Sequence, residues 1–398
     1  LRLLRRNPTI SRTGLAKRTG LGKATVSTLV SELIEEGIIT EGDLGTQTKG
    51  AGRRPIQLCL NGDARFAIGI ELTGSELIAV LVNLCGNPVE TRQLVVPDLS
   101  IGTAVDLVDK VVRDFVERCP RDRVLGVGIG VPGPVDHSHS RVIQAVNLGW
   151  VDVPLAAMVE EKTNLPTTVL KRQNAGALGE YWYGVGKPRD AVLFVSVGIG
   201  IGSGIVIGGK LYQGVSGYSG EIGHMTVVPN GDRCNCGNYG CLETVASASA
   251  LALRARQRIR DGEDSLLLER TKGLLDTITP GMVLDAAKSG DHLASEVVTE
   301  AAVFLGIAIA NAINLMNPSI VVLGGEILNE SDLFIQPIRE TVRRRACTPC
   351  SIGIEIVPAR WGVLAAAVGA AALVIDGFFM GAENAMLRVR SVTANGQM

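Results

Sequence analysis

EIGHMTVVPNGDRCNCGNYGC, residues 221–241, places one histidine and three cysteines in a glycine-rich segment. The four residues are His224, Cys234, Cys236 and Cys241, spaced as H-x9-C-x-C-x4-C. One imidazole and three thiolates form the soft donor set of a tetrahedral zinc site. Four protein donors close the coordination shell, so we expect a structural Zn²⁺ ion that shapes the loop and does not act as a Lewis acid.

A disulfide is the competing explanation for these cysteines. Cys234 and Cys236 are separated by one residue, which makes a bond between them difficult to form. The first eleven residues are polar and basic and do not resemble a secretory signal. We therefore expect reduced thiols in a cytoplasmic protein.

The composition is that of a globular protein with more than one domain. The chain has 398 residues, of which 46% are hydrophobic and 20% charged. Apolar runs that alternate with glycine turns, such as FAIGIEL (66–72) and VLGVGIGV (124–131), predict the strands of an α/β fold. The longest apolar run, residues 362–375, is shorter than a membrane span and predicts a buried helix, so we expect no membrane partner.

Several blocks of the sequence resemble the ROK family, which comprises repressors, open reading frames and kinases built on the sugar-kinase fold. The resemblance extends from about residue 64 to 375. Its blocks are GYSGEIGHMTV and CNCGNYGCLETVAS around the cysteines, LGVGIGVPGPVD (125–136), NLGWVDVPL (147–155), NAGALGEYWYG (174–184), VGIGIGSGIVIGGKLYQG (197–214) and VVLGGEIL (321–328). The resemblance implies a two-lobed, actin-like (RNase H-like) body that holds a sugar between its lobes.

The predicted organisation has three parts. Residues 1–62 would form a winged helix-turn-helix domain. Residues 63–173 would form the first actin-like lobe, together with a C-terminal helix at 361–398. Residues 174–360 would form the second lobe, which carries the zinc loop and the dimerisation surface.

The N-terminal part is basic and has the spacing of a helix-turn-helix. Residues 1–60 carry ten Lys or Arg and five Asp or Glu, a net charge of +5 that leaves −6 for the rest of a chain totalling −1. Residues 10–19 and 22–36 predict two helices separated by a tight turn. In the second helix an apolar stripe would pack inward and leave small polar residues for the major groove. The stripe is Val26, Leu29, Val30, Leu33 and Ile34, and the groove-facing residues are Lys23, Thr25, Ser27 and Thr28.

A wing is predicted after the second helix. Residues 38–40 and 56–58 look like two strands that flank a loop containing Arg53 and Arg54 between glycine and proline. An arginine pair of this kind suits the narrow minor groove of DNA. An amphipathic interaction bundle with a solvated basic turn is the alternative. The resemblance favours DNA binding, because ROK repressors carry such a module and ROK sugar kinases lack it.

The resemblance also implies a sugar site. In the family, the positions of Glu221, His224 and Glu243 accept hydrogen bonds from sugar hydroxyls. His224 would then use one ring nitrogen for zinc and the other for the ligand or a neighbouring group. Carboxylates that cap helices or pair with cations are the structural alternative for Glu221 and Glu243.

The residues required for phosphoryl transfer are not retained. ROK kinases supply the base as the Asp of an Asn-Asp-x-Asn block, and here that position is Arg172, which stays protonated. The Asp-x-Gly-Gly-Thr turn of the kinases is replaced by a segment beginning at Glu71, and a phosphate-loop threonine is replaced by Ile199. We therefore expect no enzyme activity.

Lys171 and Arg172 allow two explanations. They would recognise an anionic effector, such as a sugar phosphate, through charge-assisted hydrogen bonds. Alternatively, they pair with Glu221 or Glu243 and hold the site without an anionic ligand.

The sequence therefore predicts a sugar-responsive repressor of carbohydrate metabolism genes. Its partners would be operator DNA, a sugar or sugar-phosphate effector, and further copies of the chain in a homodimer or tetramer. A ROK sugar kinase with an accessory DNA-binding head is the first alternative. A regulator controlled by a protein partner is the second.

Overall fold

The computed structural model describes residues 1–6, 10–44, 56–96, 98–187, 189–328 and 332–381. The chain divides into two units. The first unit contains the residues up to Lys171 and those from Ala370 onward, and the second contains Arg172–Gly369. The predicted domain bounds remain a prediction.

The N-terminal head is a helical unit closed by a small antiparallel sheet of strand order β1–β3–β2. The Ser11 hydroxyl accepts a hydrogen bond from the backbone N–H of Gly14 at 3.2 Å and so begins the second helix. Gly20, at φ +73°, ends that helix. The head elements are α1 (Arg2–Arg6), β1 (Ile10–Ser11), α2 (Arg12–Thr19), α3 (Lys23–Glu35), β2 (Ile39–Leu44) and β3 (Ile56–Leu60).

The two predicted helices, α2 and α3, and the turn between them are confirmed, but α2 begins later than predicted. Residues 10 and 11 pair with β3, Ile10 opposite Leu58, and do not form its first turn. The tip of the predicted wing, with Arg53 and Arg54, lies outside the described residues.

The apolar stripe of α3 is narrower than predicted. Val26 and Val30 are buried, whereas Leu29 is 45% exposed, so its assignment to the stripe is wrong. At 100° per residue Leu29 lies at the edge of the face centred on Val26 and Val30, beyond the reach of the neighbouring helix.

The body of the first unit is a five-stranded sheet of order β10–β7–β4–β5–β6. Strand β4 lies at its centre with all seven residues buried, parallel to β7 and antiparallel to β5. This burial explains why the run 66–72 is apolar at every position except the buried Glu71 and does not alternate. The elements are β4 (Phe66–Leu72), β5 (Glu76–Asn83), β6 (Pro88–Val95), α4 (Ile101–Val116), β7 (Val124–Val131), β8 (Val142–Ala145), β9 (Trp150–Val153), α5 (Leu155–Thr163) and β10 (Thr167–Lys171).

The second unit contains another five-stranded sheet, of order β13–β12–β11–β14–β15. Strand β11 is antiparallel to β12 and parallel to β14, and the helices that follow supply its apolar core. The strands are β11 (Ala191–Val197), β12 (Ile201–Ile207), β13 (Lys210–Leu211), β14 (Ile320–Gly324) and β15 (Glu355–Pro358). The helices are α6 (Arg172–Tyr183), α7 (Glu243–Ala246), α8 (Ala248–Arg260), α9 (Leu266–Arg270), α10 (Pro280–Lys288), α11 (His292–Met316), α12 (Asp332–Arg345) and α13 (Thr348–Ser351).

The last helix, α14 (Ala365–Met380), follows a 3₁₀ turn at Gly362–Leu364 and confirms the helix predicted from residues 362–375. The remainder of the C-terminal helix predicted at 361–398, from residue 382, lies outside the described residues. Two helical segments, His292–Met316 and Gly362–Met380, are long and apolar enough to cross a membrane by length and composition. Their most apolar windows are 61% and 56% buried inside the protein, as expected of core helices.

Helix α6 is fixed at its C-terminal end by a buried carboxylate. Glu180 is fully buried and accepts hydrogen bonds from the backbone N–H groups of Val185 at 3.0 Å and Trp361 at 3.1 Å. Burial raises the pKa of this carboxyl group, and the backbone donors act in the opposite direction. Glu180 therefore ties the end of α6 to the segment that begins α14.

Helices α6 and α14 also touch through their backbones. A methyl group at Gly369 would lie 1.6 Å from the carbonyl oxygen of Ala175, and one at Gly179 would lie 2.9 Å from that of Ala365. Only glycine permits so close an approach at Gly369.

Replacing Gly369 by alanine should therefore destabilise the protein by about 1–3 kcal/mol, because the helices must separate to admit the methyl group. The matched control is Gly377→Ala in the same helix, where a methyl group would meet nothing within 4 Å. This control should be neutral or slightly stabilising, since alanine is the better helix former. Thermal unfolding of both variants is the measurement, and equal melting temperatures would contradict the packing argument.

Candidate metal centre and effector site

The loop between β13 and α7 is organised by short backbone pairings around tight turns. Thr226 pairs with Cys241 as an isolated antiparallel bridge, and a turn follows Cys234. In that turn the N–H of Gly237 donates to the carbonyl of Cys234 at 2.9 Å, and Gly237 has φ +93°. The glycine permits the left-handed conformation that turns the chain back and brings the three cysteines together.

The four predicted metal ligands converge. One ligand atom from each of His224, Cys234, Cys236 and Cys241 lies within 4.8 Å of the others. The Sγ of Cys234 is 3.6 Å from Nδ1 of His224, and the Sγ atoms of Cys236 and Cys241 are 3.7 Å apart. A tetrahedral zinc site has edges of about 3.6 Å between nitrogen and sulfur and about 3.8 Å between two sulfurs. The donor set therefore fits a tetrahedral metal ion.

The disulfide alternative does not agree with this geometry. None of the eight cysteines, all of which are described, is in a disulfide, and the Cys236–Cys241 Sγ separation of 3.7 Å far exceeds a bond of about 2.05 Å. Burial raises the pKa of Cys234, and it raises the pKa of Cys241 to about 12. The backbone N–H of Asn238 lowers the pKa of the exposed Cys236. A cation that binds these sulfurs must therefore displace protons from Cys234 and Cys241.

His224 connects the cluster to Glu221. While Nδ1 faces Cys234, Nε2 lies 4.0 Å from a carboxylate oxygen of Glu221. His224 ends a 3₁₀ turn at Ile222–His224, Glu221 immediately precedes that turn, and both side chains are about one-third exposed. A carboxylate on the outer nitrogen of a metal-binding histidine orients the ring and increases its basicity.

Strand β12 positions both carboxylates. The turn that carries Glu221 is attached through Ser203, whose N–H and hydroxyl donate to the carbonyl of Gly220 at 2.8 and 2.9 Å. The Glu243 carboxylate accepts a hydrogen bond from the N–H of Ile201 at 2.9 Å. Glu221 and Glu243 are thus anchored to the same strand.

Lys171 and Arg172 occupy the joint between β10 and α6. Lys171 is the last residue of β10, in the first unit, and is buried. Arg172 is the first residue of α6, in the second unit, and is half-buried.

The ROK family model matches residues 67–377, and a winged helix-turn-helix DNA-binding model matches residues 1–40. The chain belongs to the ROK family.

Relatives that span the whole chain are named as regulators. The chain is 36% identical over 377 residues to the xylose repressor of Caldicellulosiruptor bescii, covering 93% of this chain and 92% of that protein. A crystal structure of a ROK family transcriptional regulator, a homologue of the E. coli MLC protein, matches with a TM-score of 0.80 at 29% identity, covering 96% of this chain and 95% of that one. The likeness to a repressor therefore includes the head as well as the ROK body.

An enzyme is also among the similar proteins. The glucokinase of Halalkalibacterium halodurans is 34% identical over 317 residues, which cover 78% of this chain and 95% of that protein. Arg172 stands at the position that the family resemblance assigns to the kinase base. Ile199, at the threonine position of the second phosphate loop, is 61% exposed in the β11–β12 turn.

The sequence analysis did not predict a role for two polar residues that follow Arg172, namely Gln173 and Asn174. A methyl group at Gly202 of β12 would lie 2.8 Å from the amide nitrogen of Gln173. The carboxamide oxygens of Gln173 and Asn174 are buried without a hydrogen-bond partner among the described residues. The signal for Asn174 was available, since it is the final Asn of the Asn-Asp-x-Asn block, whereas nothing in the sequence indicates that Gln173 reaches β12.

The four residues predicted to enter the major groove are exposed on α3: Lys23, Thr25, Ser27 and Thr28. Arg12 contacts α3 directly: its guanidinium donates to the carbonyl of Ser27 at 3.0 Å and pairs with Glu41. The helix therefore presents its small polar face while the rest of the head fixes its orientation.

Proposed function

We propose that this chain is a sugar-responsive, DNA-binding transcriptional repressor of carbohydrate metabolism genes. It is a regulator and not an enzyme. One observation carries this conclusion: a winged helix-turn-helix precedes a ROK body in which the base position is an arginine. Full-length similarity to a xylose repressor supports it.

The domain assignment follows from this function. Residues 1–62 form the DNA-binding domain, residues 63–173 with the C-terminal helix form the first lobe, and residues 174–360 form the second lobe with the dimerisation surface. A homodimer or tetramer would present two heads to a symmetric operator, as other helix-turn-helix regulators do. The protein acts in the cytoplasm, where its DNA lies.

The ion held by the cysteine cluster is structural zinc. The donor set of one histidine and three thiolates favours Zn²⁺, and four protein ligands leave no open position for chemistry. Held in this way, the loop keeps His224 and Glu221 in register with β12.

The effector site comprises Glu221, His224, Glu243, Lys171 and Arg172. The carboxylates accept hydrogen bonds from sugar hydroxyls, and the two cations receive the anionic group of a sugar phosphate. Binding shifts the regulator between states with different affinities for the operator.

Two other functions would give different results in the same assays. A kinase would transfer phosphate from ATP to a sugar, which Arg172 cannot assist as a base. A regulator controlled by a protein partner would lose DNA affinity in the presence of that protein and ignore sugars.

Purified protein should contain one zinc ion per chain. Cys236→Ser should lose most of it and bind the effector more weakly, because Glu221 is no longer held through His224. Elemental analysis and sugar titration are the measurements.

Cys85→Ser is the control, since Cys85 is exposed and lies outside the cluster. Full zinc content in Cys236→Ser would contradict the assignment.

DNA binding should weaken steeply as salt increases, because the head carries a net charge of +5. Lys23→Ala should reduce the slope of log affinity against log salt by about one unit, and Thr28→Ala should change the preferred base in the major groove. Arg53→Ala and Arg54→Ala should weaken binding at A·T-rich positions.

The control for these variants is Lys110→Ala on α4, which removes the same charge from the body. An equal loss of affinity in this control would show that DNA responds to net charge alone. Unchanged affinity in the wing variants would contradict the minor-groove assignment.

The wild type should show no ATP-dependent phosphorylation of a sugar panel, and Arg172→Asp alone should not restore it while Ile199 remains. A sugar phosphate should bind more tightly than its neutral parent, and Arg172→Gln should narrow that difference by roughly 1.5–3 kcal/mol. Calorimetry and a coupled kinase assay are the measurements.

Arg189→Gln is the matched control, because Arg189 pairs with Glu355 elsewhere in the second unit. Measurable turnover would contradict the regulator assignment. If wild type and variant each bind the sugar phosphate and its neutral parent equally, Arg172 does not recognise an anionic group. It would then be assigned as an ion-pair partner of Glu221 or Glu243.

A further inference from the structure

Arg5 in helix α1 carries a buried charge. Its side chain is 4% exposed, and its Nη1 lies 2.7 Å from a carboxylate oxygen of Asp376 in α14, 371 residues away in sequence. The guanidinium also lies 5.0 Å from the centre of the Phe379 ring. Burying a guanidinium is unfavourable unless a counter-charge and an aromatic face compensate for lost water. The first helix of the head is therefore bound to the last helix by a directional contact.

The connection between β3 and β4 makes a second contact. The N–H of Leu84 donates to the carbonyl of Gly62 at 3.0 Å, and the Asn83 amide donates to the Asp63 carboxylate at 3.2 Å. On the other side, the Asn61 amide donates to the carbonyl of Gly37, just after α3, at 2.8 Å. This connection joins the head to the β5–β6 turn, and we refer to it as the hinge.

We propose that Arg5 and Asp376 are positioning residues that act as a latch, holding the DNA-binding head in the orientation required for specific operator binding. The inference rests on the proposed DNA-binding function and adds the contact through which the body controls the head. A head attached only at the hinge can rotate about it. With the latch closed, it is held at two points, as recognition of two half-sites at fixed spacing requires.

The latch residue Asp376 lies in helix α14, which continues beyond Gly369. Helix α14 begins in the second unit, where Gly369 packs against Ala175 of α6. The first residue of α6 is Arg172, a proposed effector ligand.

The test uses full-length, zinc-loaded protein and a duplex that the wild type enriches from a random-sequence pool. Asp376→Asn and Arg5→Met should each weaken binding of that duplex by about tenfold or more. Binding of a duplex of unrelated sequence at low salt should not change, because the basic surface of the head is intact. Zinc content should match that of the wild type, and both variants should remain folded at the assay temperature.

The matched control is Asp106→Asn, which removes an exposed ion pair with Lys162 in the same unit and should leave affinity within about twofold. Asp376 is 26% exposed, so Asp376→Asn is expected to fold even if Arg5→Met does not. The exchanged pair, Arg5→Asp with Asp376→Arg, should recover much of the specific affinity.

Three results would overturn the inference. Folded single variants that bind the enriched duplex as well as the wild type would show that the latch does not position the head. A second such result is an equal loss of affinity for the enriched and unrelated duplexes, with a lower melting temperature and no recovery in the exchanged pair. The ion pair would then only stabilise the fold. A wild type that enriches no duplex would overturn the proposed function and this inference together.

Discussion

Backbone-to-backbone packing of helix α6 is the constraint on which the second unit depends. The carbonyl of Gln173 faces Gly204 of β12, where a methyl group would lie 2.2 Å away, and the carbonyl of Ala175 faces Gly369 of α14. The helix is thus in contact with the sheet on one side and with the C-terminal helix on the other. At these distances any larger side chain would separate the layers. The glycines therefore determine where the first turn of α6, with Arg172 and Gln173, is placed.

The proposed metal cluster would fix the position of a second segment, the loop between β13 and α7, which has little regular structure. The thirty or so residues between β13 and α7 contain a single 3₁₀ turn and isolated bridges, so they bury little apolar surface of their own. The proposed tetrahedral ion would replace that missing core with four strong bonds from residues distributed over the loop. His224 then links the ion to Glu221, so the stability of the loop and the position of a proposed ligand depend on the same side chain.

The head and the body combine a fold shared with sugar kinases and features that suit a regulator. The body retains the carboxylates attached to β12, which suit hydroxyl recognition, and has an arginine where proton abstraction requires a carboxylate. The head adds an exposed polar face on α3. Arg12 contacts this helix inside the head, and Arg5 pairs with Asp376 of α14. Under the proposed function, ligand recognition in the body would therefore control DNA binding and not phosphoryl transfer.

The sequence by itself determined the features that depend on local spacing and residue type. The cysteine and histidine spacing identified the metal cluster, the alternating helices and turns identified the head, and Arg172 excluded a catalytic base, since each follows from chemistry within a short segment. The tertiary structure alone decided the contacts between distant segments. Leu29 fitted an apolar period but is exposed because the neighbouring helix covers a narrower face. Gln173 reaches β12, and Arg5 pairs with a residue 371 positions away, because strand order and helix crossing bring these atoms together. No local pattern encodes such pairings, since each partner's position depends on how the whole chain packs.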